Sequence, residues 1–219
     1  MKKLMIILIA ALISNCSSTQ LSNSWKNPDV QAYAPSKILV IGLTSNLEAK
    51  QKFENELKAR FIERGTVAYT SFEVLPDNTT TEKLSLVELD SLEQQLLQNG
   101  FDTIIFSKII GSEDKIVYTK NFDVYDETFV KFKEDYLRYQ DSFYNPEYYE
   151  EYTVYHAETS LFCICPTKDQ ELLWKGSIEI VDPQSIEKTV KDYIYVILEA
   201  LEKEQLINPV ALGTKKEII

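Results

Sequence analysis

The chain predicts an α/β fold, a mixed-sheet layered sandwich ordered β-α-β-α-β, then antiparallel strands with an aromatic insertion and a C-terminal helix. Three observations carry that expectation. Apolar runs at residues 37–43 and 103–110 are each bounded by turn residues, as buried strands are. Helical periodicity preceded by capping residues separates them. After Gly111 the pattern changes to alternation, which suits antiparallel strands with one face solvated.

Residues 37–43 (KILVIGL) read as a central strand between Pro35 and Thr44. Ser45 and Glu48 have capping-box spacing, and Phe53, Leu57 and Phe61 then recur every fourth residue, stacking on one helix face. Gly65 supplies a left-handed stop. Residues 67–74 read as a second strand, and 76–81 as a polar loop. A second capping box, Ser85 to Glu88, opens a helix with Leu86, Leu89, Leu92 and Leu96 on one stripe, closed by Gly100. Residues 103–110 (TIIFSKII) are β-branched and apolar, a third strand.

Residues 115–119 and 151–165 read as antiparallel strands, with 172–181 as their partner. Asp182-Pro183 has the pattern of an N-cap followed by proline at the first helical position. Val190, Ile194, Ile197, Leu198 and Leu201 then form the apolar face of a final helix. Residues 208–219 read as a frayed tail. One domain is therefore expected over 37–207, with an insertion at 122–150.

The insertion is the compositional outlier. Residues 122–155 hold 12 of the 25 aromatics, with nine acids against three bases. Phe129, Phe132, Tyr136, Tyr139 and Phe143 are spaced 3, 4, 3, 4, which places five rings on one helical stripe. Covering the open face of the sheet ranks ahead of an exposed platform for a protein, peptide or glycan partner. Both rank ahead of embedding in lipid, where nine carboxylates would have to be kept out of the apolar phase.

Charge and chemistry exclude more than they assign. The formal charge of −11 argues against phosphate neutralisation, so no nucleic-acid partner is expected. His156 is the one histidine. No Gly-x-Ser-x-Gly elbow accompanies it, so it reads as a structural or surface residue, with Glu158 within reach on the same strand face. Gly42 lacks the further glycines of a dinucleotide fingerprint, and no phosphate loop is present. No cofactor, metal or catalytic residue is expected. Cys163 and Cys165, two apart on an expected strand, read first as buried free thiols, with a strained, bulged or intermolecular disulfide as the alternative.

The N-terminus reads as an address. Two lysines precede a ten-residue apolar run, 4–13, and then small residues. As a helix that run reaches only ~15 Å, about half the hydrocarbon core. Leu12-Ile13-Ser14-Asn15-Cys16 resembles the lipobox of bacterial lipoproteins, with Asn15 where Gly or Ala is usual. The resemblance implies cleavage before Cys16 and addition of fatty acyl chains such as palmitate to it. Loss of Lys2 and Lys3 with the leader takes the formal charge from −11 to −13. The lipid, rather than surface charge, would then hold the protein on an anionic bilayer. The residues after Cys16 lack aspartate, which by the same resemblance implies outer-membrane sorting. Residues 16–36 are polar and read as a lipidated tether after a signal peptide at 1–15. Trp25 within them is expected to dock on the domain rather than lie at the membrane interface.

Together these features resemble a family of bacterial lipoproteins of unassigned function: a lipobox, Trp25-Lys26-Asn27-Pro28-Asp29, the strand at 38–43, Phe53-Glu54, Gly65, residues 71–76 (SFEVLP), a Tyr-rich insertion, and 172–176 (LLWKG). The opening strand-helix repeat is also similar to the α/β domains of curli-secretion-type and Tol-system proteins, which are assembly modules. The expectation is a lipid-anchored, non-enzymatic binding or assembly module of the envelope, with Cys16 lipidated. An envelope protein partner would meet Trp25, Phe129, Phe132, Tyr136, Tyr139 and Phe143. The alternatives are a small-ligand carrier, with an apolar cavity of ~300 Å³ or more between sheet and insertion, and a hydrolase using Glu150, Glu151 and Glu158.

Overall fold

The structure, a computed structural model, describes residues 18–75, 85–118, 131–133, 136–137, 149–165 and 171–210. The α/β expectation holds. Six strands, β1 (Thr19–Lys26), β2 (Lys37–Leu43), β3 (Val67–Thr70), β4 (Thr103–Tyr118), β5 (Tyr149–Cys163) and β6 (Leu172–Val181), form one mixed sheet in the order β1-β6-β5-β4-β2-β3. β3, β2 and β4 run parallel; β4, β5, β6 and β1 pair antiparallel. The helices are α1 (Leu47–Glu63), the single turn α2 (Ser71–Val74), α3 (Leu86–Gln98) and α4 (Ile186–Lys203).

Alternation along the strands splits the core between two faces. Ile38, Val40, Ile105, Ala157, Leu161 and Ile178 meet Phe53, Leu57 and Phe61 of α1 and Val190, Ile194, Ile197 and Leu201 of α4. Leu39 and Ile104 turn the other way, toward Leu96 of α3 and Phe101. At about 1.5–3 kcal/mol for each fully buried aliphatic side chain, the first face supplies most of the hydrophobic stabilisation. Arg64, at the end of α1, pairs with Glu202 of α4 and ties the two helices. The stops at Gly65 and Gly100 are as expected, each at φ +79°.

Several boundaries differ from the sequence reading. Residues 19–26, expected as tether, are β1, an edge strand bonded to β6 from Thr19↔Ile180 to Lys26↔Trp174. An edge strand is held by backbone hydrogen bonds and needs little apolar content, so TQLSNSWK carries almost no strand signal. β3 stops at Thr70, because Glu73 Oε2 accepts from the Thr70 N–H (2.8 Å) and turns the chain into α2. β4 does not end near Gly111. A bulge between Ile109 and Gly111 absorbs the irregularity, and pairing with β5 continues to Tyr118↔Tyr149.

The caps shift as well. Asn46, not Ser45, caps α1, accepting from the Ala49 N–H at 3.0 Å. Ser185, not Asp182, caps α4, because Asp182 at φ 45° turns the chain off β6 and delays the helix. The Ser85–Glu88 capping box is present as expected. The stripe it opens is only half covered: Leu96 is buried, whereas Leu86 stays 80% exposed. Cys163 and Cys165 are joined by a disulfide rather than held as free thiols. The strand ends at Cys163 and the backbone turns, bringing the Cα atoms to 5.3 Å, inside the usual disulfide range.

Candidate functional site

The carboxyl ends of parallel strands are where open α/β sheets place ligand crevices. Here β2 ends, and β4 passes at Ser107–Ile109, beside a groove walled by the first halves of α1 and α4. Its inner chamber, about 130 Å³, is lined by Gly42, Phe53, Ile109, Ile180, Val190 and Tyr193 among others. It opens into an outer cavity of about 1030 Å³, whose wall adds Tyr155, Pro183, Gln184 and Ile186. The inner volume is comparable to the ~150 Å³ apolar cavities that exclude water and take up benzene-sized guests.

Gly42 sets the floor. A Cβ there would stand 3.1 Å from Phe53 Cδ1, so the absence of a side chain lets α1 approach the strand. Phe53 meets Tyr193 edge-on at 5.8 Å. The Tyr193 hydroxyl does not face the groove as an open donor. It lies 2.8 Å from Thr159 Oγ1, which lies 2.7 Å from Ser107 Oγ, a chain of three buried hydroxyls. Burial pushes the Tyr193 phenol up to about 12, partly countered by its hydrogen bond with Thr159.

Behind the groove Glu54 is fully buried on α1. Its Oε1 accepts from the Gly42 N–H (2.9 Å) and its Oε2 from the Ser71 N–H (2.8 Å); the Ser71 hydroxyl donates as well (2.8 Å). Lys50 Nζ stands 4.0 Å away. Burial raises the Glu54 carboxyl above its ordinary value despite these donors. The carboxylate therefore acts as a splice joining β2, α1 and the start of α2. Both of its oxygens are engaged, by the Gly42 and Ser71 N–H groups and by the Ser71 hydroxyl.

The acids expected for hydrolysis do not converge. Glu151 and Glu158 are seven residues apart on one strand, ~23 Å along its axis. Glu158 lies between Lys108 (2.8 Å) and Lys175 (2.9 Å). Its partial burial opposes ionisation, but the two ammonium groups outweigh it and hold the carboxyl below its ordinary range. His156 pairs with Glu113 across the strands (Nε2–Oε1 3.3 Å) rather than with Glu158, which lies further along the strand and is taken by the two lysines. Among the described residues, no three His, Cys, Asp or Glu side chains group as a metal site would require.

Three of the expected contact residues, Trp25, Phe132 and Tyr136, are among those described. Trp25 is on β1 opposite Lys175; its backbone docks on the sheet while the ring stays 47% exposed. Phe132 and Tyr136 are 83% and 57% exposed, with ring centroids 5.8 Å apart. Cys16, Phe129, Tyr139 and Phe143 lie outside the described residues. Among the described residues an apolar cavity forms between the sheet, α1 and α4; the cavity expected between the sheet and the insertion falls on a segment that lies largely outside the described residues. Sequence reasoning gave Glu54 no role beyond the Phe53-Glu54 motif and passed over Tyr193. The one signal for Tyr193 was its place within the apolar periodicity of α4, three residues after Val190.

No family model matches the chain, and no curated protein matches it. The chain is similar to solved structures. One is a PelC dodecamer from Paraburkholderia phytofirmans, at 8% identity over 87% of this chain and 99% of that one, with a TM-score of 0.42. Another is the lipoprotein GNA1162 from Neisseria meningitidis, at 12% identity over 77% and 99%, with a TM-score of 0.40. A third is the hypothetical protein CT253 from Chlamydia trachomatis, at 15% identity over 67% and 73%, with a TM-score of 0.27. Among the described residues, no helix is long and apolar enough to cross a membrane.

Proposed function

We propose that this protein is a lipid-anchored, non-enzymatic binding or assembly module of the bacterial cell envelope, held through Cys16 on the outer membrane and facing the periplasm. One observation supports the reading most. Cys16 precedes Ser18 by two residues, and the Ser18 carbonyl already accepts the Val181 N–H (2.7 Å) at the edge of the sheet. Two residues span ~7 Å at most. Acyl chains on Cys16 would therefore bring the folded domain directly to the bilayer, with no spacer between. Two or three long chains, at ~0.8 kcal/mol for each buried methylene, far exceed what a body of formal charge −13 loses by repulsion.

Contact with an envelope protein partner is assigned to Trp25 and to the exposed Phe132–Tyr136 pair, rigid rings that offer contact area at low entropy cost. Metabolic labelling with an alkynyl fatty acid tests the anchor. Label is expected on the wild-type chain and absent from Cys16→Ser; equal labelling of both refutes it. Partner capture after crosslinking in intact cells tests the rings, and a partner retained undiminished by Phe132→Ala/Tyr136→Ala removes them from the interface.

A further inference from the structure

We infer that the groove between α1 and α4 is a hydrocarbon-binding site whose occupant is one acyl chain of the Cys16 lipid. The inference rests on the anchor reading above and deepens it. Its first support is the chemistry of the walls. Phe53, Ile109, Ile180 and Val190 present carbon to the inner chamber, and the buried hydroxyls of Ser107, Thr159 and Tyr193 are satisfied by one another. Lys50 and Lys108, also at the wall, are paired with Glu54 and Glu158, and the surface left to a guest is almost wholly carbon, which suits a hydrocarbon and penalises a polar ligand.

Its second support is where the chain leaves the structure. Thr19 pairs with Ile180, a wall residue of both chambers, and Ser18 is bonded to the next residue, Val181. The segment that follows, Pro183-Gln184-Ser185, forms the rim of the outer cavity. The described chain therefore begins beside the mouth, and the three residues from Thr19 back to Cys16 can span at most ~11 Å. A long acyl chain crosses that distance and still reaches the inner chamber. Apolar cavities of similar volume take up a benzene-sized guest, so the inner chamber accommodates about six carbons, with the outer cavity holding those behind them. Seating one chain there while the others remain in the bilayer would fix the domain's orientation on the membrane.

The test feeds cells a fatty acid carrying both a diazirine and an alkyne. The cells are illuminated, the full-length protein is purified through the alkyne, and the adducts are mapped by mass spectrometry. Expected are intramolecular adducts from Cys16 to groove residues such as Ile180 and Val190, lost when Ile109→Trp fills the chamber. Ile109 is partly exposed, so this variant should fold; Thr189→Trp at the mouth is the second variant and should also lose them. Label on Cys16 with every adduct outside the groove overturns the inference and leaves the anchor standing. Groove adducts undiminished in both variants overturn it too. Groove adducts from free lipid in Cys16→Ser would show a different occupant and overturn the own-chain assignment. Absence of label from wild-type Cys16 overturns the anchor reading itself.

Discussion

Glu54 offers the sharpest test of how this domain is held together. Replacing it with alanine strips acceptors from the Gly42 N–H, the Ser71 N–H and the Ser71 hydroxyl, all inside a buried site. Each unsatisfied donor costs about 1–3 kcal/mol, and removing one member of a buried charge pair typically costs about 3–5 kcal/mol. Relief of the carboxylate's own desolvation offsets part of this, so Glu54→Ala should lose roughly 3–5 kcal/mol. At an m-value near 2 kcal/mol/M the urea midpoint would fall by about 2 M. Glutamine can still accept one of the two backbone donors, so Glu54→Gln should lose only ~1–3 kcal/mol. The pH dependence separates the charge from the hydrogen bonds. Burial raises the folded-state proton affinity, so the group stabilises the fold below its ordinary value of 4.5 and loses that contribution as pH rises through the raised value. The gap between wild type and Glu54→Gln should therefore be widest in acid and narrow toward neutrality. Urea denaturation followed by far-UV circular dichroism across that range measures it. A Glu54→Ala loss below about 1 kcal/mol, or a gap that widens with pH, would refute the assignment.

Tyr193→Phe removes the end of the three-hydroxyl chain and should cost ~0.5–1.5 kcal/mol in urea denaturation, without altering the circular dichroism of the folded state. Gly176→Ala should cost about 1–3 kcal/mol by overpacking, because a Cβ there would overlap the buried Trp174 ring and sit 2.6 Å from its Cζ2. Full stability in that variant would mean that the indole repacks freely. Glu158→Gln should lose on the order of 1 kcal/mol near neutral pH, since both lysine partners are partly exposed. The folded-state carboxyl is held low, so that contribution is present above the ordinary value of 4.5 and lost as pH falls. A difference that persists unchanged in strong acid would exclude the ion pairs as its source.

Where a local rule and a buried face agreed, the elements were legible before the structure. The apolar run at 37–43 could only be a covered strand, and the Phe53-Leu57-Phe61 spacing could only place α1 on the core. The errors have a common cause. β1 has a backbone role and almost no side-chain pattern; the bulge at Ile109–Gly111 resembles a strand end; and Asp182-Pro183 looks like a cap until a positive φ delays the helix to Ser185. In each case a partner distant in sequence chose between two locally reasonable conformations. The candidate site was less legible still. Its wall residues come from β2, α1, β4, β6 and α4, and each looks like ordinary core in its own segment.

The sequence alone determined the layered α/β class, the order of the main elements from β2 onward, and the place of a cysteine at position sixteen after a basic start and an apolar run, because local periodicity, capping chemistry and short-range pattern specify such features. The tertiary structure decided that the polar stretch after that cysteine is the sheet's edge, that the two remaining cysteines are bonded, and that an apolar groove opens beside the point where the chain emerges. The edge strand and the groove depend on contacts between residues as distant as Thr19 and Ile180, 161 positions apart, and no local pattern encodes such a contact; the disulfide depends on the turn of the backbone where β5 ends.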